Sequence, residues 1–127
     1  MKKLPIIATV CFWPLLALAE EGQWEPSKLK ASTLETAHRQ TANYQHCIDT
    51  EGQGISSRQA DARELANEVL QKCEAQLTPL REAFLSEGVS AQEADRYLSK
   101  TRTYAARNLL RALMEVQAMR GAADPAK

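Results

Sequence analysis

Two cysteines, Cys47 and Cys73, lie 26 residues apart, and the first closes the tetrapeptide Tyr44-Gln45-His46-Cys47. Three chemistries use such residues. A thiol beside an imidazole serves as a nucleophile only if its pKa is lowered and a base is held against the sulfur in space. His46 is adjacent in the chain, and on a helix that turns it about 100° away from Cys47. A zinc centre needs three or four ligands at recurring spacings. The chain offers two histidines, His38 and His46, with no HxxxH pair. A disulfide needs an oxidising compartment and an even cysteine count.

The N-terminus bears on both conditions. Lys2 and Lys3 precede an uncharged run from Leu4 to Ala19 that ends in Ala17-Leu18-Ala19 and is followed by Glu20-Glu21. This is the basic head, apolar stretch and small-x-small site of a secretory signal peptide. The run is shorter than the roughly 20 apolar residues of a spanning helix, and Pro5 and Pro14 interrupt it. Residues 1–19 are therefore expected to be a cleaved leader, and the destination periplasmic or secreted. Cys11 leaves with the leader. It follows Ala8-Thr9-Val10, without the small residue that precedes a lipidated cysteine, and the apolar run continues beyond it. Two cysteines then remain, and parity pairs Cys47 with Cys73.

Composition narrows the rest. The whole chain carries 16 basic and 16 acidic residues, and losing Lys2 and Lys3 leaves a slight acidic excess. Such balance does not suggest a nucleic-acid binder, which would carry a basic surplus. After the leader, Leu, Ile, Val and Phe together are no more numerous than Ala. So thin a core gains from a cross-link. Closing a loop of this length stabilises a fold by about 3.5 kcal/mol in the chain-entropy model.

The elements that must carry these residues read as helices throughout, giving an all-α, small three-helix bundle with one disulfide. Residues 20–26 form a polar lead-in containing Trp24, residues 27–121 a single helical domain, and residues 122–127 a disordered tail. The first helix is expected over 27–50, capped by Ser27, with Leu34, Ala37, Thr41, Tyr44 and Ile48 on its buried stripe. Gly52 and Gly54 predict a loop over 50–56. Ser56 with Gln59 makes a capping box for a second helix over 57–77, whose inner face is Ala62, Leu65, Ala66, Val69, Cys73 and Leu77. Thr78-Pro79 reads as a helix start. Either the second helix kinks there or a short fourth helix runs to Glu87, with Leu80 and Phe84 continuing the inner face and Gly88 as the stop. Ser90 and Glu93 form a second capping box for a third long helix over 91–120, ending at Gly121. Its expected stripe is Ala94, Leu98, Thr101, Ala105, Leu109, Ala112, Val116 and Met119.

These boundaries conflict with the disulfide. A simple hairpin with Cys47 opposite Cys73 turns near residue 60, whereas the glycine loop centres near 53. Either the loop runs back extended along the second helix, or that helix starts later than its cap suggests, or the disulfide links two chains.

Two surfaces are candidates for binding. Arg96, Lys100, Arg107 and Arg111 share one stripe of the last helix, almost opposite its buried side. They suit an anionic partner, although Glu93 and Glu115 are spaced to pair with them. Tyr97 and Tyr104 lie one heptad apart on a flank of the same helix, with Tyr44 similarly placed on the first. Tyrosines so arranged edge a groove or a dimer contact, or else form boundary core. There is no Gly-rich phosphate loop, Ser-centred elbow, HExxH or paired-carboxylate pattern, so neither catalysis nor a cofactor is expected.

Leu77-Thr78-Pro79 resembles the start of the LTxxQ motif of the Spy/CpxP family of periplasmic helical chaperones and stress sensors. The fifth position here is Arg81 rather than Gln, and Val89-Ser90-Ala91-Gln92-Glu93 is a loose second copy. The likeness covers a few residues and implies a helical envelope protein. The expectation is an exported helical protein, accessory or chaperone-like, that contacts another envelope protein, possible homodimer included, without stable membrane insertion. A dedicated inhibitor or immunity protein with one target is the alternative. A metal-responsive module using His38 or His46 is a third.

Overall fold

The computed structural model describes residues 28–124. The expected leader, the lead-in with Trp24, Ser27 and the last three residues of the tail lie outside that range. Helix α1 spans Ala31–Ile55, α2 Ala62–Cys73 and α3 Thr78–Ser86; α4 spans Ala91–Ala123, and a 3-10 turn at Glu74–Leu77 joins α2 to α3. The α2–α3 segment is one kinked arm, so three helical arms run up, down and up. α1 and α4 are consequently parallel, and both pack against the returning arm. Among the described residues there is no strand.

The inner face of α2 is as expected: Ala62, Leu65, Ala66, Val69 and Cys73 are all buried, followed by Leu77, Leu80 and Phe84. With Tyr44 and Ile48 of α1 and Ala94, Leu98 and Ala105 of α4 they form one core. The end of α3 is also as expected. Gly88 has φ +84°, the left-handed conformation that glycine adopts without steric cost. Its N–H donates to the Leu85 carbonyl, and the Val89 N–H donates to that of Phe84. This is a Schellman cap, and buried Val89 supplies its apolar contact. Ser90 then caps α4, its hydroxyl accepting from the Glu93 N–H at 3.2 Å. The start of α1 is tied to the same end of the bundle. Buried Thr33 donates to Glu87 at 2.6 Å, and Lys30 lies 3.6 Å from the same carboxylate.

The largest departure is at the first turn. α1 does not stop at residue 50 but runs through both glycines to Ile55. Gly52 is buried against α4: a Cβ there would lie 2.8 Å from Leu109 Cδ1. Close helix packing at this point offsets the roughly 1 kcal/mol helix penalty of glycine. Ser56 therefore ends α1 instead of starting α2, its N–H bonding back to the Gly52 and Gln53 carbonyls. The cap of α2 is Asp61, which accepts from the Arg63 N–H at 2.8 Å. The turn thus occupies 56–61 and includes the midpoint between the two cysteines. Cys47 and Cys73 pair within the chain, with Cα atoms 5.8 Å apart. The later start of α2 removes the conflict.

Three smaller departures have local causes. α1 begins at Ala31 with Lys30, not Ser27, at its N-cap. Thr78 is already helical, at φ −59° and ψ −49°, with Leu77 at the cap. Pro79 falls in the first turn of α3, where its missing N–H has no intrahelical partner to lose. α4 continues past Gly121 to Ala123. Its buried stripe moves from Leu109 to Leu113 rather than to Ala112, which is exposed, and Met119 is 64% exposed. Ala112 instead faces an open groove between α1 and α4, and Met119 lies past the last turn of α1. Gln117 of α4 still donates to the Ala60 carbonyl at 2.8 Å. Beyond it the helix overhangs the bundle, held by Ala118, Ala122 and Ala123, the best helix formers.

Candidate functional site

The structure separates the sequence-derived candidates. Tyr44 is not a surface residue: it is 1% exposed and sits in the core. Its place on the inner stripe of α1, between Ala37 and Ile48, decides this. Its hydroxyl has no hydrogen-bond partner and lies inside the seam between α2 and α4. Burial raises its pKa, Glu74 adds to the rise and Arg102 opposes it. Tyr97 is half-buried and meets Phe84 edge-on at 5.0 Å between ring centroids. That contact anchors the start of α4 on α3. Only Tyr104, at 68% exposed, fits the surface reading.

Arg96, Lys100, Arg107 and Arg111 are all exposed on the outer side of α4. Among the described residues none of the four is in an ion pair. Glu93, expected as a partner, instead serves the Ser90 cap. Glu115, spaced to pair with Arg111, makes no ion pair with it. The arginines at the seams behave differently. Arg81 of α3 reaches Asp95 of α4 at 2.6 Å, Arg102 of α4 grips Glu74 of the 3-10 turn, and Arg58 of the turn holds Glu68 of α2 at 2.7 Å. The Arg81 hydrogen bond holds the Asp95 carboxyl below its usual range. The same contacts explain the residues that carried the Spy/CpxP likeness. Leu77 is core, Thr78 helix and Arg81 an interhelical partner.

A groove of about 410 Å³ opens between the second half of α1 and α4. Ile48, Gly52, Leu109, Ala112 and Val116 line its apolar part; Asp49, Gln53 and Asn108 supply polar groups. The two small residues make it concave. Sequence reasoning missed it by taking Gly52 as a helix breaker. The available signal was register: Gly52 falls four residues after Ile48 and three before Ile55, so it extends the buried stripe.

His38 and His46 are exposed on α1. Among the described residues no three His, Cys, Asp or Glu side chains come together to hold a metal ion. No described helix is long and apolar enough to cross a membrane. Comparison of the chain with protein-family models, with curated proteins and with solved structures finds no match.

Proposed function

We propose that this chain is an exported, non-enzymatic binding protein of the bacterial envelope, accessory or chaperone-like, that holds an acidic face of another protein on the outer side of α4. One observation carries the reading. Among the described residues, four cations share that face without an ion pair, while Arg58, Arg81 and Arg102 are each turned to a carboxylate. Charges held out of internal pairs remain available to steer and orient an oppositely charged partner. The intrachain disulfide supports export, because such bonds persist in oxidising compartments. Tyr104 adds an amphipathic contact beside the stripe.

The test is cross-linking and recovery from the envelope, with the wild-type chain beside a variant carrying Glu at positions 96, 100, 107 and 111. The reading expects proteins recovered by the wild type to be lost by the variant while its helical content is unchanged. Identical recovery by both would remove the role of this face. A broad set of weakly held clients fits the chaperone-like form; a single partner near one-to-one fits an inhibitor.

A further inference from the structure

The hydroxyl of Tyr44 is the least explained polar group in the core. Tyr44 is 1% exposed, and its hydroxyl has no hydrogen-bond partner. A buried donor left without an acceptor costs the fold free energy, so such groups are few and call for a reason. Tyr44 lines a cleft of about 440 Å³ in the seam between α2 and α4. That volume lies within the range of about 300–1,000 Å³ usual for small-molecule sites. Leu70 and Glu74, four residues apart, stand on one wall, and Arg102 and Ala106, again four apart, on the other. Tyr44 reaches the cleft from α1, behind both walls. Ala106 brings only a methyl group, which leaves room beside Leu70.

Arg102 and Glu74 bridge the two walls, with Arg102 Nε 3.0 Å from both carboxylate oxygens. Both side chains are partly exposed, at 40% and 48%, and a pair so placed contributes little to stability and parts readily. Nη1 of Arg102 makes no hydrogen bond among the described residues. Burial and Glu74 raise the pKa of Tyr44 and Arg102 opposes them, so the phenol stays protonated and is a donor at neutral pH. The cleft therefore combines an apolar wall, two donors without an acceptor and one carboxylate, and its lining carries no net charge.

We propose that this cleft binds a free α-amino acid with an apolar side chain. The ligand carboxylate accepts from the Tyr44 hydroxyl and the Arg102 guanidinium, its ammonium donates to Glu74, and its side chain lies against Leu70 and Ala106. A ligand of a single charge parts Arg102 from Glu74 and leaves one of them unpaired. A zwitterion inserts between them and leaves both paired, as charges drawn out of water require. Insertion also uncovers the hydroxyl, which is buried while the pair stands. This site is apart from the outer face of α4 and does not depend on the partner proposed for it.

The experiment is calorimetric titration of the whole mature chain with L-leucine, glycine, leucinamide and N-acetyl-leucine. Leucine is expected to bind. Glycine lacks the apolar side chain, leucinamide the carboxylate and N-acetyl-leucine the ammonium, and each should bind at least about tenfold more weakly. Tyr44→Phe keeps the shape of the core and removes only the hydroxyl. It should weaken leucine by about tenfold with its fold intact by circular dichroism and melting. Arg102→Gln should weaken leucine at least as much. No heat of binding for leucine up to about 10 mM overturns the proposal. Equal binding of leucinamide or N-acetyl-leucine overturns it too, because the zwitterion is then not what is recognised. Unchanged leucine binding by Tyr44→Phe also overturns it, whatever Arg102→Gln does, since the hydroxyl is then no part of the site.

Discussion

α4 has two seams, and they are built differently. Toward the returning arm, Asp95 pairs with Arg81, Arg102 with Glu74, and Gln117 bonds the Ala60 carbonyl. α1 is fastened to that same arm by the Cys47–Cys73 bond and by Lys72 on Glu51 at 2.6 Å. Toward α1, α4 makes no ion pair among the described residues and relies on the approach of Leu109 to Gly52. The polar seams set register and orientation, since a charge pair works at one alignment. The plain seam is set by shape, and it is the one that leaves a groove. The difference suggests how a chain with few large apolar residues stays folded and still keeps an open apolar surface. Its cross-links are concentrated on the returning arm.

The comparison can be tested by attacking each seam. Replacing Cys47 and Cys73 by Ser should have the largest effect, a loss of about 3.5 kcal/mol of unfolding free energy in urea titration. A loss below about 1 kcal/mol would mean that the noncovalent contacts of the returning arm hold α1 unaided. Gly52→Leu should come next. It forces a side chain onto Leu109 and should cost about 2 kcal/mol, whereas Gly54→Ala, with nothing within 4 Å of its added carbon, should gain about 1 kcal/mol. Equal effects at the two glycines would show that α1 and α4 do not approach closely at residue 52. Tyr44→Phe removes a buried hydroxyl that has no partner, and thermal melting should show it stabilised by about 1 kcal/mol. Destabilisation would reveal a bond to the α2/α4 seam that this geometry does not contain.

The smallest effect concerns Asp95, which is exposed. Its carboxyl is held below its ordinary value of 3.8 by Arg81. A lowered folded pKa contributes stability that is present above the unfolded value and is lost as pH falls through the folded one. Asp95→Asn should therefore leave stability almost unchanged below that window and slightly lower above it. A difference between the two proteins that persists at the acid end would assign the effect to packing instead of charge.

How far these features were legible in the sequence depended on their range. The Ser90 box, the Gly88 stop and the inner face of α2 could all be read, because each depends on neighbours within a turn or two; cysteine parity pointed to Cys47 with Cys73 but left open whether one chain or two was joined. The outer placement of Arg96, Lys100, Arg107 and Arg111 was legible from helical periodicity. Their lack of ion pairs was not, because spacing permits a pair without requiring one. Ser56 was misread for a related reason: it has every local mark of a cap, but α1 had not yet ended.

The amino-acid sequence by itself determined that this chain is helical and that α2 and α3 turn one continuous face inward. Those outcomes follow from backbone chemistry and from periods of three to four residues. Only the tertiary structure decided that Gly52 lies within a helix, that the turn falls at 56–61, that the Cys47–Cys73 bond closes within one chain and that a groove opens beside the basic stripe. At Gly52 a contact from a distant part of the chain, Leu109, outweighs a local preference of about 1 kcal/mol, and the position of the turn follows from it.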